Sequence, residues 1–325
     1  RLFRQALPLI EATGTRDRLA YLLIPGGQTL ALRGQPDEAN RWLERGTRLG
    51  EEIGSTFLIS SGVHLQGWVR LGTGQWDAAL ACLERGRRLA EEHELRDRLA
   101  AFMLFEAEIY IYRGEYERSQ ALLSHVLDLA QRHELADSIT GSQHLLGYSA
   151  LMQGRLDAAL DYQGERSFTA EPVQSFVQAL DLLSSAEWWA MVADAGGLGR
   201  LAEDMAVVAA AAGNSLRFFQ QHGYRFNLPF ASRVNAMLAY QAGDYAAAHG
   251  FISRGVSLAR TIGMEPEVAR GLFWRARIRR RQNPGDGRIR GDLRAAAALF
   301  RRLRARPELD QALTLLRAAR GGPAD

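Results

Sequence analysis

An all-α fold of antiparallel helix hairpins is predicted by three observations. A short phrase recurs four times at forty-residue spacing: Gly34-Gln-Pro-Asp-Glu-Ala39, Gly74-Gln-Trp-Asp-Ala-Ala79, Gly114-Glu-Tyr-Glu-Arg-Ser119 and Gly154-Arg-Leu-Asp-Ala-Ala159. Small residues recur at fixed offsets on both sides of its glycine. Apolar residues make up 47% of the 325-residue chain, with Ala and Leu dominant, as packed helices need. A period of this length marks a solenoid, because one unit cannot bury its hydrophobic face alone and stacks on its neighbours.

Residues 1–14 read as the second helix of a unit, with Ala6, Leu9 and Ile10 facing inward. The first helix of that unit is absent and no Met opens the chain, so a longer parent chain is expected. In the four regular units, Gly27, Gly67, Ala107 and Gly147 precede the shared glycine by seven residues. Ala39, Ala79, Ser119 and Ala159 follow it by five. Small side chains at both places let the two helices of a hairpin approach closely. Leu43, Leu83 and Leu123 supply one core knob per unit, followed by Leu49, Leu89 and Leu129 at helical spacing. The shared glycine closes the first helix where positive φ is cheapest. Asp37, Asp77, Glu117 and Asp157 then place negative charge at the start of the second. Second helices are expected to end near Gly14, Gly54, Glu94 and Glu134, with Ser55, Asp97 and Asp137 as caps for the helices that follow.

Beyond residue 160 the register loosens. Ala190 and Ala202 fit the small columns with Gly197 between them, as do Ala236, Gly243 and Ala248. The stretch from Gly164 to Pro172 reads as a link, and Ala209-Ala-Ala-Ala-Gly-Asn214 as a helix end. A last unit carries Ala276, then Ala296 and Phe300, around the insertion Asn283-Pro-Gly-Asp-Gly287, and Pro307 starts a final capping helix. About seven hairpins are expected, in regular repeats at 1–160, looser ones at 161–265 and a basic end at 266–325.

Composition excludes several classes. No apolar run approaches the roughly 18–20 residues that cross a bilayer and no secretory signal opens the chain, so a cytoplasmic protein is expected. Cys82 is the only cysteine, which excludes an intrachain disulfide. His93-Glu-Leu-Arg-Asp97 begins like a zincin motif but has Asp where the second His belongs. Gly196-Gly-Leu-Gly199 follows no strand and lacks phosphate-loop spacing, so it reads as a turn. No nucleophile or acid/base pair is legible, no cofactor motif is present, and no enzyme is expected.

The repeat phrase resembles the tetratricopeptide repeat, whose small residue in the first helix, turn glycine and early Ala in the second stand here in order. HEAT and armadillo repeats share the forty-residue period but not the phrase. The resemblance implies a right-handed superhelical solenoid. With Leu89-Ala-Glu-Glu92 and the ending Ala295-Ala-Ala-Ala-Leu-Phe-Arg-Arg-Leu-Arg-Ala-Arg-Pro-Glu-Leu309, the chain is similar to the sensor regions of large bacterial regulators, namely MalT-like LuxR-family activators and ATPase-coupled nucleotide cyclases. That likeness implies a repeat segment that binds an inducer or partner protein. The phosphate loop and helix-turn-helix of those families are absent.

In such hairpins the first helix lines the concave wall. One column of that wall reads Gln28, Trp68, Glu108, Tyr148, another Ile24, His64, Leu104, His144, with Tyr112 and Met152 one turn on. These positions vary while the frame is fixed, as a recognition surface would. Gln28, His64, Trp68, Glu108, Tyr112, His144 and Tyr148 are therefore the candidate groove, suited to a protein or peptide segment, or alternatively to a small-molecule inducer. Every cation is Arg, with 25 Arg against 32 acids in residues 1–269 and 15 against 5 in residues 270–325. Arg275, Arg277, Arg280, Arg281, Arg288 and Arg290 form a candidate basic surface, and a nucleic-acid-associated role for it is the rival reading. Few aromatics accompany it, so single-strand stacking is not expected.

Overall fold

The computed structural model describes residues 2–13, 15–162, 168–169, 171–197 and 205–319. Among these the chain has sixteen α-helices and no strand. They are α1 (Leu2–Thr13), α2 (Arg16–Leu32), α3 (Pro36–Glu52), α4 (Thr56–Thr73), α5 (Trp76–Glu92), α6 (Arg96–Arg113), α7 (Tyr116–Arg132) and α8 (Ala136–Met152). The short α9 (Leu156–Asp161) follows, then α10 (Phe176–Val192) with a π turn at Ala193–Gly197, α11 (Met205–His222) and α12 (Leu228–Gln241). The chain continues through α13 (Tyr245–Ile262), α14 (Glu265–Gln282), α15 (Arg288–Leu303) and α16 (Arg306–Ala318). No described helix is long and apolar enough to cross a membrane.

The helices fall into two compact units, Arg1–Ile109 with Glu117–Ser142, and Tyr110–Tyr116 with Gln143–Asp325. The second unit thus takes in the last turn of α6. In both units helices pack chiefly on their sequence neighbours, and pairs such as α2 with α4, α10 with α12 and α12 with α14 also touch.

The first three regular repeats are each two helices of 17 or 18 residues joined by links of two or three, while the fourth pairs the 17-residue α8 with the six-residue α9. The shared glycines hold positive φ, from 71° at Gly154 to 84° at Gly74. Gly54 does the same between α3 and α4, but Glu94 and Glu134 occupy the equivalent turn at φ of 53° and 55°, a conformation that costs an L residue about 1–2 kcal/mol. The small-residue columns have a direct steric cause. A Cβ on Gly27 would lie 2.7 Å from Leu43 Cγ, and one on Gly67 2.6 Å from Leu83 Cδ2. Leu43, Leu83 and Leu123 are fully buried, so those knobs have nowhere to move.

Several expectations are corrected. Leu9 is 70% exposed, while Ile10 and Leu7 pack on the core of α2 and α3, because α1 turns a different face inward. Asp97 and Asp137 lie in the first turns of α6 and α8 and do not cap them, since those helices begin at Arg96 and Ala136. Ser55 does cap α4, accepting from the Leu58 amide. Ala209–Asn214 is not a helix end but the middle of α11. Val208, Ala211, Ala212, Ser215, Leu216 and Phe219 form one buried stripe there, whose packing outweighs the low helix propensity of Gly213. The positive φ near residue 197 belongs to Gly196. Gly14, Gly164 and Ala202 lie outside the described residues.

Candidate functional site

Chemistry concentrates on the even-numbered helices of the second unit. Arg233 is the sole charged residue in the 14-residue α12, yet it is only 5% exposed. A guanidinium in that position must be paired, since an isolated buried charge costs several kcal/mol. Its Nε and Nη2 donate to Glu267 of α14 at 2.9 and 3.0 Å, and its Nη1 donates to Glu187 of α10 at 2.5 Å. Burial alone would lower this guanidinium, but Glu187 and Glu267 outweigh that and hold it above its usual range. Burial would raise Glu267, yet Arg233 and then Arg270 keep it below the ordinary carboxylate value.

One turn along α14, Arg270 extends the network. Its Nη2 and Nε donate to Glu308 Oε1 of α16 at 3.1 and 3.3 Å, and its Nη1 lies 3.7 Å from Glu267. The plane of Tyr112 lies 4.0 Å beneath it, a cation–π contact in a desolvated setting. Tyr112 meets Tyr148 edge to face at 6.1 Å, and His144 lies 6.4 Å from Tyr148. Burial pushes the Tyr148 phenol far above its usual range, so it is a neutral donor. Gly114 sits close to Pro307, 3.3 Å from where a Cβ would stand, so the last turn of α6 is pinned to the start of α16.

Of these groups, Tyr148, Glu187, Arg233, Arg270 and Glu308 line a cavity of about 240 Å³. Tyr148, Glu187, Arg233 and Arg270 supply its polar wall, and Met152, Met191, Met237, Phe273, Trp274 and Phe300 its apolar wall. Near the exposed Asp194 and Ala195, Arg277 donates to the Asp194 carboxylate at 2.6 and 2.8 Å and stacks over Trp274 at 4.2 Å. Of the residues the sequence predicted for a binding wall, Tyr148 lines this cavity, while Tyr112 lies under Arg270 and His144 beside Tyr148, neither of them in the lining. The sequence missed Glu187, Arg233, Glu267, Arg270 and Glu308. One usable signal was a single charge isolated in an apolar helix, as at Arg233.

The other predicted groove residues belong to the first unit. Gln28 is exposed, Glu108 is half-buried, and Trp68 is half-buried against the core formed around Leu23, Trp42 and Leu43. His64 stacks on Phe105 at 5.1 Å and meets Phe102 edge to face at 5.9 Å. Burial, with help from the Arg98 charge, lowers its imidazole from 6.5 to about 4. The unfolded chain therefore takes up a proton near pH 6.5 that the folded chain refuses. Stability is expected to be full above pH 6.5 and to decline as pH falls towards 4, by about 3 kcal/mol from this residue. Urea titrations across that range should show the slope in the wild type and lose this component in His64→Phe.

Three of the six residues of the candidate basic surface, Arg275, Arg277 and Arg288, are paired with carboxylates. Arg275 donates to Asp292 at 2.6 and 2.9 Å, and Arg279 shares the same carboxylate. Arg288 pairs with Asp286 at 2.8 Å and its hydrogen bonds hold that carboxyl down at about 2. Arg281 donates to the Tyr240 hydroxyl at 3.2 Å, and Arg280 and Arg290 are exposed. Cys82 is half-buried on α5, where burial raises its thiol despite the nearby Arg70. No group of three or more His, Cys, Asp or Glu among the described residues is placed to hold a metal. No protein-family model matches this chain, and no curated protein matches it.

Proposed function

We propose that this chain is a non-catalytic sensing scaffold, a tetratricopeptide-like solenoid of about seven hairpins that belongs to a larger bacterial signalling or transcriptional regulator. Its signal binds on the wall made by successive first helices. The observation that carries this reading is the cavity of the second unit, where α8, α10, α12, α14 and α16 each contribute a lining side chain. Polar residues from successive repeats converge there, among them Tyr148, Glu187, Arg233, Arg270 and Glu308. A ligand that touches five repeats at once couples its occupancy to their relative packing, which is how a stack of this kind passes a signal to attached domains.

A small inducer fits this cavity better than a peptide, because a walled volume of about 240 Å³ falls below the roughly 300–1,000 Å³ of sites for drug-sized ligands. The nucleic-acid reading loses support from the pairing of Arg275, Arg277, Arg279 and Arg288 with Asp194, Asp286 and Asp292. To test the sensing role, the purified chain is titrated with low-mass metabolites and with short peptides while Trp fluorescence and melting temperature are followed. Expected is a small ligand that raises the melting temperature and whose fluorescence response is lost in Trp274→Phe. Binding by peptides alone, with no Trp274 response, would move the site elsewhere.

A further inference from the structure

The cavity has a chemical bias. Three carboxylates, Glu187, Glu267 and Glu308, face two guanidiniums, Arg233 and Arg270, and the pair at Arg277 and Asp194 is neutral by itself. The cluster therefore carries one excess negative charge. Its guanidiniums are committed: every guanidinium nitrogen of Arg233 faces a carboxylate, Arg270 is spent on Glu308 and Glu267, and both terminal nitrogens of Arg277 hold Asp194. An entering anion finds no uncommitted guanidinium and meets the excess negative charge.

One acceptor is not committed. Glu308 is 8% exposed, and its Oε1 takes both bonds from Arg270, while its Oε2 is buried with no hydrogen-bond partner. Tyr116, a nearby phenol, donates instead to the Met152 carbonyl at 3.5 Å. A buried carboxylate oxygen without a donor is costly, and in native proteins such a group marks a place that something else completes. Glu308 also lines the cavity, as do Tyr148, Phe273, Trp274 and Phe300. Aromatic faces carry negative charge and attract cations.

We infer that the cavity binds a small organic cation, an ammonium group on a compact apolar body, with the ammonium paired with the Glu308 carboxylate and the body held among Phe273, Trp274 and the surrounding methionines. The volume equals that of about eight waters at about 30 Å³ each, which sets the size of the occupant. This assignment rests on reading the cavity as the sensing site and names the class of its ligand.

Matched probes of one size test it: benzylamine, benzyl alcohol and benzoate, with butylamine, butanol and butyrate as an aliphatic set. Calorimetry and the Trp274 indole resonance, identified by its loss in Trp274→Phe, are read on the full chain. The amines are expected to bind with Kd of about 1 mM or tighter and to shift that resonance. The alcohols and acids should bind at least tenfold more weakly. Glu308→Gln, which keeps shape and removes charge, should weaken amine binding at least tenfold while leaving alcohol binding unchanged. If Glu308→Gln does not fold, the wild-type ranking of amine over alcohol over acid, with its Trp274 signal, decides by itself. Equal or tighter binding of the alcohols or acids at Trp274 would overturn the cation assignment and leave the sensing role standing. If no probe of any charge binds there, both fall.

Discussion

Arg233→Met is expected to lower the unfolding free energy by about 3–5 kcal/mol, the largest single effect for any residue of the second unit. The wild-type guanidinium is buried with two carboxylates that are themselves 7% exposed, so its removal leaves Glu187 and Glu267 facing each other without their shared counter-charge. Arg270 still reaches Glu267 but stands 3.7 Å away and is committed to Glu308. Urea unfolding followed by Trp fluorescence measures the loss, since Trp188, Trp189 and Trp274 all lie in this unit. The pH dependence has a definite sign. In the wild type Glu267 has a depressed carboxyl, so its contribution is present above about 4.5 and is lost as pH falls below that value. In the variant the two carboxyls gain by protonation, so the gap between the proteins should narrow as pH falls. Adding Glu187→Gln to Arg233→Met should recover part of the loss, because one uncompensated charge is removed. A loss below 1 kcal/mol would mean that the carboxylates escape to water and that the network does not order this wall.

Gly86→Val is expected to cost about 3 kcal/mol through crowding in the first unit. A Cβ at residue 86 of α5 would lie 2.4, 2.5 and 2.9 Å from three ring atoms of Phe102 on α6. Phe102 is fully buried and its ring is rigid, so the two helices must separate. The gain in helix propensity over glycine, a few tenths of a kcal/mol for valine, is far smaller. The double variant Gly86→Val/Phe102→Leu should recover part of the loss. Strict additivity of the two single losses would place the cost in the backbone and not in the contact.

Helix ends and close approaches were legible because each depends on one residue. Gly34, Gly74, Gly114 and Gly154 occupy a positive-φ turn that few other residues tolerate, and Gly27 and Gly67 sit opposite a leucine at a fixed offset. Where several weak preferences compete, reading along the chain failed. At Ala209–Asn214 a run of small residues with a glycine looks like an ending, but a buried stripe carries α11 through it. Leu9 lay outside the core because the inward face of α1 is chosen by α2 and α3, not by its own pattern.

By itself the sequence determined that the chain is helical, where the regular helices begin and end, and which small positions let hairpins close, since these follow from local dihedral preferences and side-chain volume. Only the tertiary structure decided that Tyr112, Tyr148, Glu187, Arg233, Arg270 and Glu308 meet. They come from six helices, with no shared motif and with a spacing that drifts after residue 160. The energy that selects their arrangement is the cost of leaving any one of those charges buried without its partners, a quantity defined only once the helices have packed.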